Sequence, residues 1–367
     1  MSADATPGGG TAAGGSAPFL EVSDLHVHFR SRPRPFRPTP PPVRAVNGIS
    51  FSIDAHRTFG LVGESGAGKS TVARAILQLV DIKAGTLRMN GTDVTRVPRS
   101  EELAFRKRVQ AVLQDPFSSL NQAHQVRTIV GDGITRHFGI RKGPEREQRI
   151  FALLDEVGLS REFLDRYPYE MSGGQRQRVS IARALAVEPD LIIADEATSA
   201  LDVSIQSQVI NVLQRVQADT GVAFLFIGHD LEVVRHVSDD VGVMYLGYLV
   251  EQGAADAVYD GPTHPYTEML IASIPVPDPV AQADRKALRQ SFDNDAEPPS
   301  PAHLPPGCPF ENRCPAAMDI CREEMPAETP AHHGGSVRCH LHSSGPELGG
   351  ESVVAYIASA SGSRVAL

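Results

Sequence analysis

The 367-residue chain predicts an α/β fold: a mostly parallel sheet covered by helices on both faces, then a small irregular C-terminal unit that carries every cysteine. Three observations predict it. An apolar run at residues 59–62 leads into the glycine-rich turn GESGAGKST and on into a helix-like stretch. Two more apolar runs, 191–194 and 222–227, alternate with helical segments; strands alternating with helices give a parallel sheet buried on both sides. From Pro275 onward Pro and Gly rise and hydrophobic periodicity fades.

The elements follow in chain order. Residues 1–18 lack the basic and apolar regions of a secretory signal and read as a flexible tail. Residues 20–29 and 45–53 read as strands. Between them lies RSRPRPFRPTPPPVR, with six prolines, which favours solvated polyproline II over a paired strand. This 30–44 segment is either a long hairpin loop or an arm that docks a partner subunit or anionic headgroups. After the strand at 59–62, residues 71–79 form a helix with Val72, Ala75, Ile76 and Leu79 on one face. Residues 85–91 are strand-like, and 109–113 form a strand with Gln114 at its end. From about 115 to 175 the composition is helical and charged, an inserted lobe that ends where a helix at 175–186 begins. The strand at 191–194 ends in Asp195 and Glu196, residues 203–218 are helical, and the strand at 222–227 ends near His229. The expected units are 19–274, a second unit at 275–341 and a tail at 342–367.

Composition excludes several classes. A hydrophobic content of 41% is ample for a core, and a net charge of −9 argues against a general nucleic-acid binder. No apolar run approaches the ~20 residues that span a bilayer. The expectation is a protein that is soluble in the cytosol or peripheral to a membrane.

The turn Gly63-Glu64-Ser65-Gly66-Ala67-Gly68-Lys69-Ser70-Thr71 fits G-x-x-x-x-G-K-[ST]. Glycines let the backbone curl so that successive N–H groups point at phosphate oxygens, and the following helix adds its positive end. Lys69 is a point charge for the β- and γ-phosphates, and the Ser70 hydroxyl can ligate Mg²⁺. The motif specifies a nucleoside triphosphate site without saying which machine owns it. Ser172-Gly173-Gly174-Gln175 opens another helix and is a second phosphate-binding helix start. Asp195 stands at the tip of a buried strand, where it can orient Mg²⁺; Glu196 beside it can take the proton of an attacking water.

Together with YEMSGGQRQRVSIARALAVEPDLIIADEATSALD, these motifs resemble the ATP-binding cassette (ABC) ATPases. The resemblance implies a P-loop ABC nucleotide-binding domain with an antiparallel β subdomain and a helical subdomain beside the mostly parallel core. It implies two cassettes paired head to tail, with the Gly63–Thr71 loop of one facing the Ser172–Gln175 signature of the other across a shared ATP. The signature's usual leading Leu is Met171 here, and Ala197 stands where Pro is commoner. By the same resemblance, Gln114 is the Q-loop glutamine that sees Mg²⁺ or the water, and His229 is the switch histidine on the γ-phosphate. Residues 199–202, ending in Asp202, are the D-loop, and Phe29, or Phe36 as runner-up, stacks on adenine.

The stretches VLQDPFSSLN, HPYTEMLIASIPVPDP and GCPFENRCPAAMDIC are similar to the ATPase subunits of bacterial oligopeptide/dipeptide and nickel importers, particularly the second of the two such importers use. That implies a second ABC ATPase subunit, two transmembrane permease subunits and, indirectly, an extracytoplasmic substrate-binding protein as partners, with no nucleic acid. A soluble repair or translation ABC ATPase is the alternative, disfavoured by the single cassette and the absence of sustained heptads. Cys308, Cys314, Cys321 and Cys339 are spaced C-x5-C-x6-C-x17-C. Four thiolates suit a [4Fe–4S] cluster or a zinc site; the wide spacing favours iron–sulfur, as does the resemblance, and free thiols are the third reading. His332, His333 and His340 are spare candidate ligands, and the preferred reading makes them solvated loop histidines.

Overall fold

The computed structural model describes residues 17–30, 40–197, 202–292, 296–343 and 356. Its twelve strands are β1 Leu20–Phe29, β2 Val43–Ile53, β3 Thr58–Val62, β4 Ala84–Met89, β5 Thr92–Asp93, β6 Val109–Val112, β7 Leu191–Asp195, β8 Ala223–Ile227, β9 Asp240–Tyr245, β10 Tyr248–Ala254, β11 Thr329–Pro330 and β12 Ser336–Val337. They form two sheets among the described residues, ordered β2-β1-β4-β5 and β11-β12-β10-β9-β3-β8-β7-β6. The first is antiparallel. In the second, β9, β3, β8, β7 and β6 run parallel.

Residue pattern explains the difference. All five residues of β3 and of β8 are buried, as an interior parallel strand requires. β1 instead alternates buried and partly exposed positions, as befits a sheet with one wetter face. The turn between β9 and β10 is tied to β2, where the Asn47 N–H donates to the Gly247 carbonyl at 2.8 Å and its side-chain amide donates to the Leu246 carbonyl, and Phe51 of β2 stacks on Phe59 of β3.

The helices are α1 Lys69–Ile76, α2 Glu102–Arg108, α3 Pro116–Ser119, α4 Val126–Phe138, α5 Pro144–Glu156, α6 Gly173–Leu185, α7 Val203–Thr220, α8 Leu231–Val237, α9 Ala255–Asp260, α10 Pro265–Ala272 and α11 Pro279–Ser291, with α12 Ile320–Glu323 and α13 His340–Ser343 near the end. α4, α5 and α6 pack on one another as a helical lobe beside β6, while α1 packs on β1, β2 and β7. No helix among the described residues is long and apolar enough to cross a membrane.

Boundaries differ from the sequence reading in instructive places. α1 starts at Lys69 and not at residue 71, because the left-handed Gly68 ends the turn there (φ 106°). β2 begins at Val43, two residues inside the expected proline loop. α2 lies in a stretch to which the sequence reading assigned no element. Beyond residue 275 the chain is less irregular than its composition suggests: α11 is helical, β12 pairs with β10, and Cys308, Phe310 and Cys321 are buried in the same apolar cluster as Tyr245, Val258 and Tyr266. Phe36 and residues 199–201 lie outside the described residues.

Candidate active site

Strand register places the chemistry at one sheet edge. In the parallel pairs Val112 lies opposite Ala194, Asp195 opposite Ile227, and Ile227 opposite Leu61. Counting forward from those partners, Gly63, Gln114, Glu196 and His229 all emerge at the same carboxyl-terminal edge. In open α/β sheets that edge is where ligands bind.

The loop from Gly63 to Gly68 is shaped by backbone that only glycine adopts. At Gly68, φ is 106°, and an added Cβ would stand 2.3 Å from the Ala45 carbonyl oxygen. No side chain caps the N-terminus of α1, and the positive end of that helix lies at the loop, the arrangement that binds phosphate. Lys69 is buried, with 4% of its surface exposed. Its ammonium donates to the carbonyls of Gly63 at 2.7 Å and Glu64 at 3.0 Å. Burial lowers its pKa, against the opposing pull of Glu196, Asp195 and Glu64.

Ser70 and Asp195 meet here, as both motifs require. The Ser70 hydroxyl donates to Asp195 Oδ1 at 3.0 Å. Burial raises the Asp195 carboxyl above its ordinary range, and the neighbouring Glu196 charge adds to the rise, while the Ser70 hydrogen bond opposes it. Two hard oxygen ligands on adjacent elements suit Mg²⁺, and a divalent cation would restore the charged carboxylate. Glu196 has a positive φ of 48°, uncommon for a side-chain-bearing residue. Its N–H donates to the Ile227 carbonyl at 2.9 Å, which holds the turn. Strained backbone of this kind concentrates at functional positions.

The other expected residues are placed as follows. Gln114 and His229 are exposed at the sheet edge, each just beyond its strand. Phe29 is 40% exposed and pairs with Val43, two residues along β2 from the Ala45 carbonyl that faces Gly68. Ser172 to Gln175 belong to the helical lobe. There Ser172 accepts from the Gln175 N–H, and Gln175 Oε1 accepts from the Ser172 N–H, a reciprocal cap. Gly174 is fixed by packing, since an added Cβ would stand 2.4 Å from Ile205 Cγ2. Asp202 precedes α7, and its carbonyl accepts from Ile205 and Gln206. Met171, in place of the usual Leu, is 5% exposed and packs in the core, so the swap preserves burial.

Sequence reading missed the contacts that brace these loops. Arg176 donates to the carbonyls of Pro168 and Met171 and stacks over Phe117. Arg183 donates to the Ser119 carbonyl at 2.6 Å. Both lie in QRQRVSIARAL, whose three arginines, Arg176, Arg178 and Arg183, were the available signal. Glu64 is expected only as one of the nucleotide-loop residues, with no side-chain partner of its own. Its N–H donates to the Tyr266 hydroxyl at 2.8 Å, and its carboxylate pairs with Arg313.

All four cysteines are free and line one cavity of about 10 Å³, walled by Pro265, Phe310 and Leu341, about the size of one water. Burial pushes the Cys308 thiol up to about 11 and Cys314 to about 12, and raises Cys339 as well. Among the described residues no group of three or more His, Cys, Asp or Glu is arranged to hold a metal ion. The four expected ligands do converge on one cavity, where burial favours the protonated thiols. The histidines depart from expectation more plainly. His333 is buried, and its Nε2 is 3.0 Å from Glu251; His340 is buried, and its Nε2 is 2.9 Å from the Glu324 carbonyl. These are core hydrogen-bonding groups and not solvated ones, because β12 folds back onto β10. His332 is exposed.

A family model described as ABC transporter matches residues 46–199, and one described as the C-terminal region of oligopeptide/dipeptide transporters matches residues 250–321. The chain is 46% identical over 323 residues to a probable peptide ABC transporter ATP-binding protein of Sinorhizobium fredii, covering 88% of this chain and 90% of that one. It is 44% identical to the oligopeptide transport ATP-binding protein AppF of Bacillus subtilis, covering 89% and 98%. With OppF of Salmonella typhimurium it shares 42%, covering 84% and 92%. Among solved structures, cbiO1 from Clostridium perfringens, part of an ABC transporter complex, superposes with a TM-score of 0.57 at 26% identity, covering 66% of this chain and 91% of that one. A dimeric ATP-binding cassette, MJ0796, bound to ADP and phosphate in a post-hydrolysis state, has the same fold at TM-score 0.57 and 24% identity, covering 64% and 98%.

Proposed function

The chain belongs to the ATP-binding subunits of ABC transporters, in the oligopeptide/dipeptide importer family, and from that premise we propose that it energises uptake of short peptides from the cytoplasmic face of the membrane. It is an ATP-binding and ATP-hydrolysing subunit of a multi-subunit importer. Peptide as cargo is supported by the named relatives and by the match over residues 250–321; the cargo itself is bound by other subunits. The partners we assign are a second, different cassette, two permease subunits and an extracytoplasmic binding protein.

The observation that carries the reading is the meeting of Lys69, Ser70 and Asp195 at one sheet edge, with the Ser172 turn set apart on the helical lobe. One chain thus supplies two halves of a phosphate site on two different elements, the loop before α1 and the start of α6. A second cassette, arranged head to tail, completes each half. In this scheme Lys69 and the loop N–H groups hold the β- and γ-phosphates. Glu196 accepts the proton of the attacking water, and Gln114 and His229 steady water and γ-phosphate. Phe29 stacks on the base. Ser70 and Asp195 would hold Mg²⁺, which when bound neutralises charge on the phosphates. Most of the acceleration comes from positioning and charge stabilisation.

Glu196→Gln in the assembled importer tests this. Turnover should fall by ~10²–10⁴ while ATP still binds and the cassettes stay closed on it. Wild-type turnover in that variant would remove Glu196 from the role of base.

For the four cysteines we propose the ligand set of a [4Fe–4S] cluster; their convergence at one place supports it, and the segment around them would have to widen beyond its one-water cavity to take the cluster. Protein purified without oxygen should then carry iron and absorb near 400 nm; colourless, iron-free protein would establish plain thiols.

A further inference from the structure

Glu64, second residue of the phosphate loop, sits where a negative charge opposes a triphosphate. Its charge also acts on Lys69, the cation of the site. Left alone, a carboxylate there would repel phosphate and compete for the lysine.

It is not left alone. Arg313 donates from Nη1 to Glu64 Oε2 and from Nη2 to Oε1, both at 3.0 Å, a two-bond fork of the kind that fixes direction as well as charge. Arg313 is 15% exposed and Glu64 35%, so the pair is partly shielded from water. The guanidinium is itself held: Nη1 lies 3.4 Å from the Tyr245 hydroxyl and Nη2 3.4 Å from the Met269 sulfur. It also stands over the rings of Tyr245 and Phe310. Tyr245, Tyr266 and Phe310 are mutually packed, with centroids 4.6–5.4 Å apart, and Tyr266 takes the Glu64 N–H.

Arg313 comes from the cysteine-bearing segment, 249 residues along the chain from Glu64. It lies in the one-turn helix Glu311–Arg313, between Cys308 and Cys314. That segment is pinned by hydrogen bonds from Glu311 N–H to the Cys308 carbonyl, from Arg313 N–H to the Phe310 carbonyl, and from Cys308 N–H to the Cys321 carbonyl.

We propose that Arg313 is a positioning residue of the ATP site: it neutralises the Glu64 carboxylate and holds it turned from the triphosphate, so that the cysteine-bearing segment sets how strongly the loop takes ATP. This rests on the reading of the Gly63–Thr71 loop as the ATP site.

The test is calorimetric titration of the full chain with Mg-ATP. Arg313→Ala should weaken binding ~10-fold or more, since it strips the countercharge from a carboxylate beside the phosphates. Adding Glu64→Gln to that variant should restore affinity to within about threefold of wild type, because the repelling charge is then gone too. Glu64→Gln alone should bind at least as well as wild type. Arg313→Lys keeps a charge without the fork and should fall between; it stands in if the alanine variant does not fold.

A purely structural role for Arg313 would not be rescued by a change at Glu64. Affinity within twofold of wild type in Arg313→Ala, or a double variant as weak as the single, would overturn the proposal. So would a marked loss in Glu64→Gln alone. A wild-type chain that takes no Mg-ATP would instead overturn the ATP-site reading, before any variant is compared.

Discussion

Replacing Glu268 by Gln should change how the stability of this chain depends on pH. The carboxyl projects from α10 and is 6% exposed. Burial, and then the nearby charge of Glu251, raise its pKa from 4.5 to about 7, against the pull of Arg285. The folded state therefore keeps a proton that the unfolded chain has already released between those values. Its contribution is fully present below pH 4.5 and is lost as pH rises through about 7. That gap corresponds to about 3 kcal/mol. His264, at the N-cap of the same helix, is shifted the other way, lowered by burial from 6.5 to about 4. Its contribution is present above pH 6.5 and is lost as pH falls towards 4. From pH 4.5 to 6.5 these two slopes oppose each other. In Glu268→Gln the Glu268 slope is gone, so across that range the urea midpoint of the variant should climb relative to that of wild type. At pH 8 the variant should exceed wild type by up to about 3 kcal/mol. Urea unfolding of the full chain, stepped from about pH 4.5 to 8, measures both. Superimposable pH profiles for the two proteins would refute the reasoning.

Two further changes have calculable outcomes. Gly68→Ala puts a methyl group 2.3 Å from the Ala45 carbonyl oxygen at a φ of 106°; loop strain of about 2 kcal/mol and a displaced helix start should lower the melting temperature and weaken ATP binding together, and a variant unchanged in both would show that the loop is not built as described. Glu251→Gln strikes the joint between the last parallel strands and the C-terminal segment. Its carboxylate, 1% exposed, accepts from the Thr263 N–H at 2.7 Å, the His264 N–H at 2.9 Å and His333 Nε2 at 3.0 Å. An amide turns a donor towards one of these donors, so unfolding in urea should register a loss of about 3 kcal/mol; a loss below half that would mean the site relaxes.

The Gly63–Thr71 loop and the Ser172–Gln175 turn were legible in the chain because each is a local structure. Gly63 to Thr71 need only their own dihedral freedom to form the loop, and Ser172 and Gln175 cap each other across three residues. The parallel core was equally plain, since strands 59–62, 191–194 and 222–227 must be apolar throughout to lie between helices. Short apolar periodicity also announced α1 and α7 to within a few residues. α2 escaped notice because its one buried side chain, Phe105, makes too faint a stripe.

Other features were settled only by how distant segments close on one another. Nothing near Glu64 in sequence announces Arg313, and nothing near Glu251 announces His333, which lies 82 residues on. Low periodicity after residue 275 reflected short elements that borrow their core from Tyr245 and Tyr266, not an absence of core. The chain's local sterics wrote those two turns. Which charges stand behind those loops depended on sheet register, because a side chain's partner is fixed by the strand that comes to lie next to it and not by its neighbours along the chain.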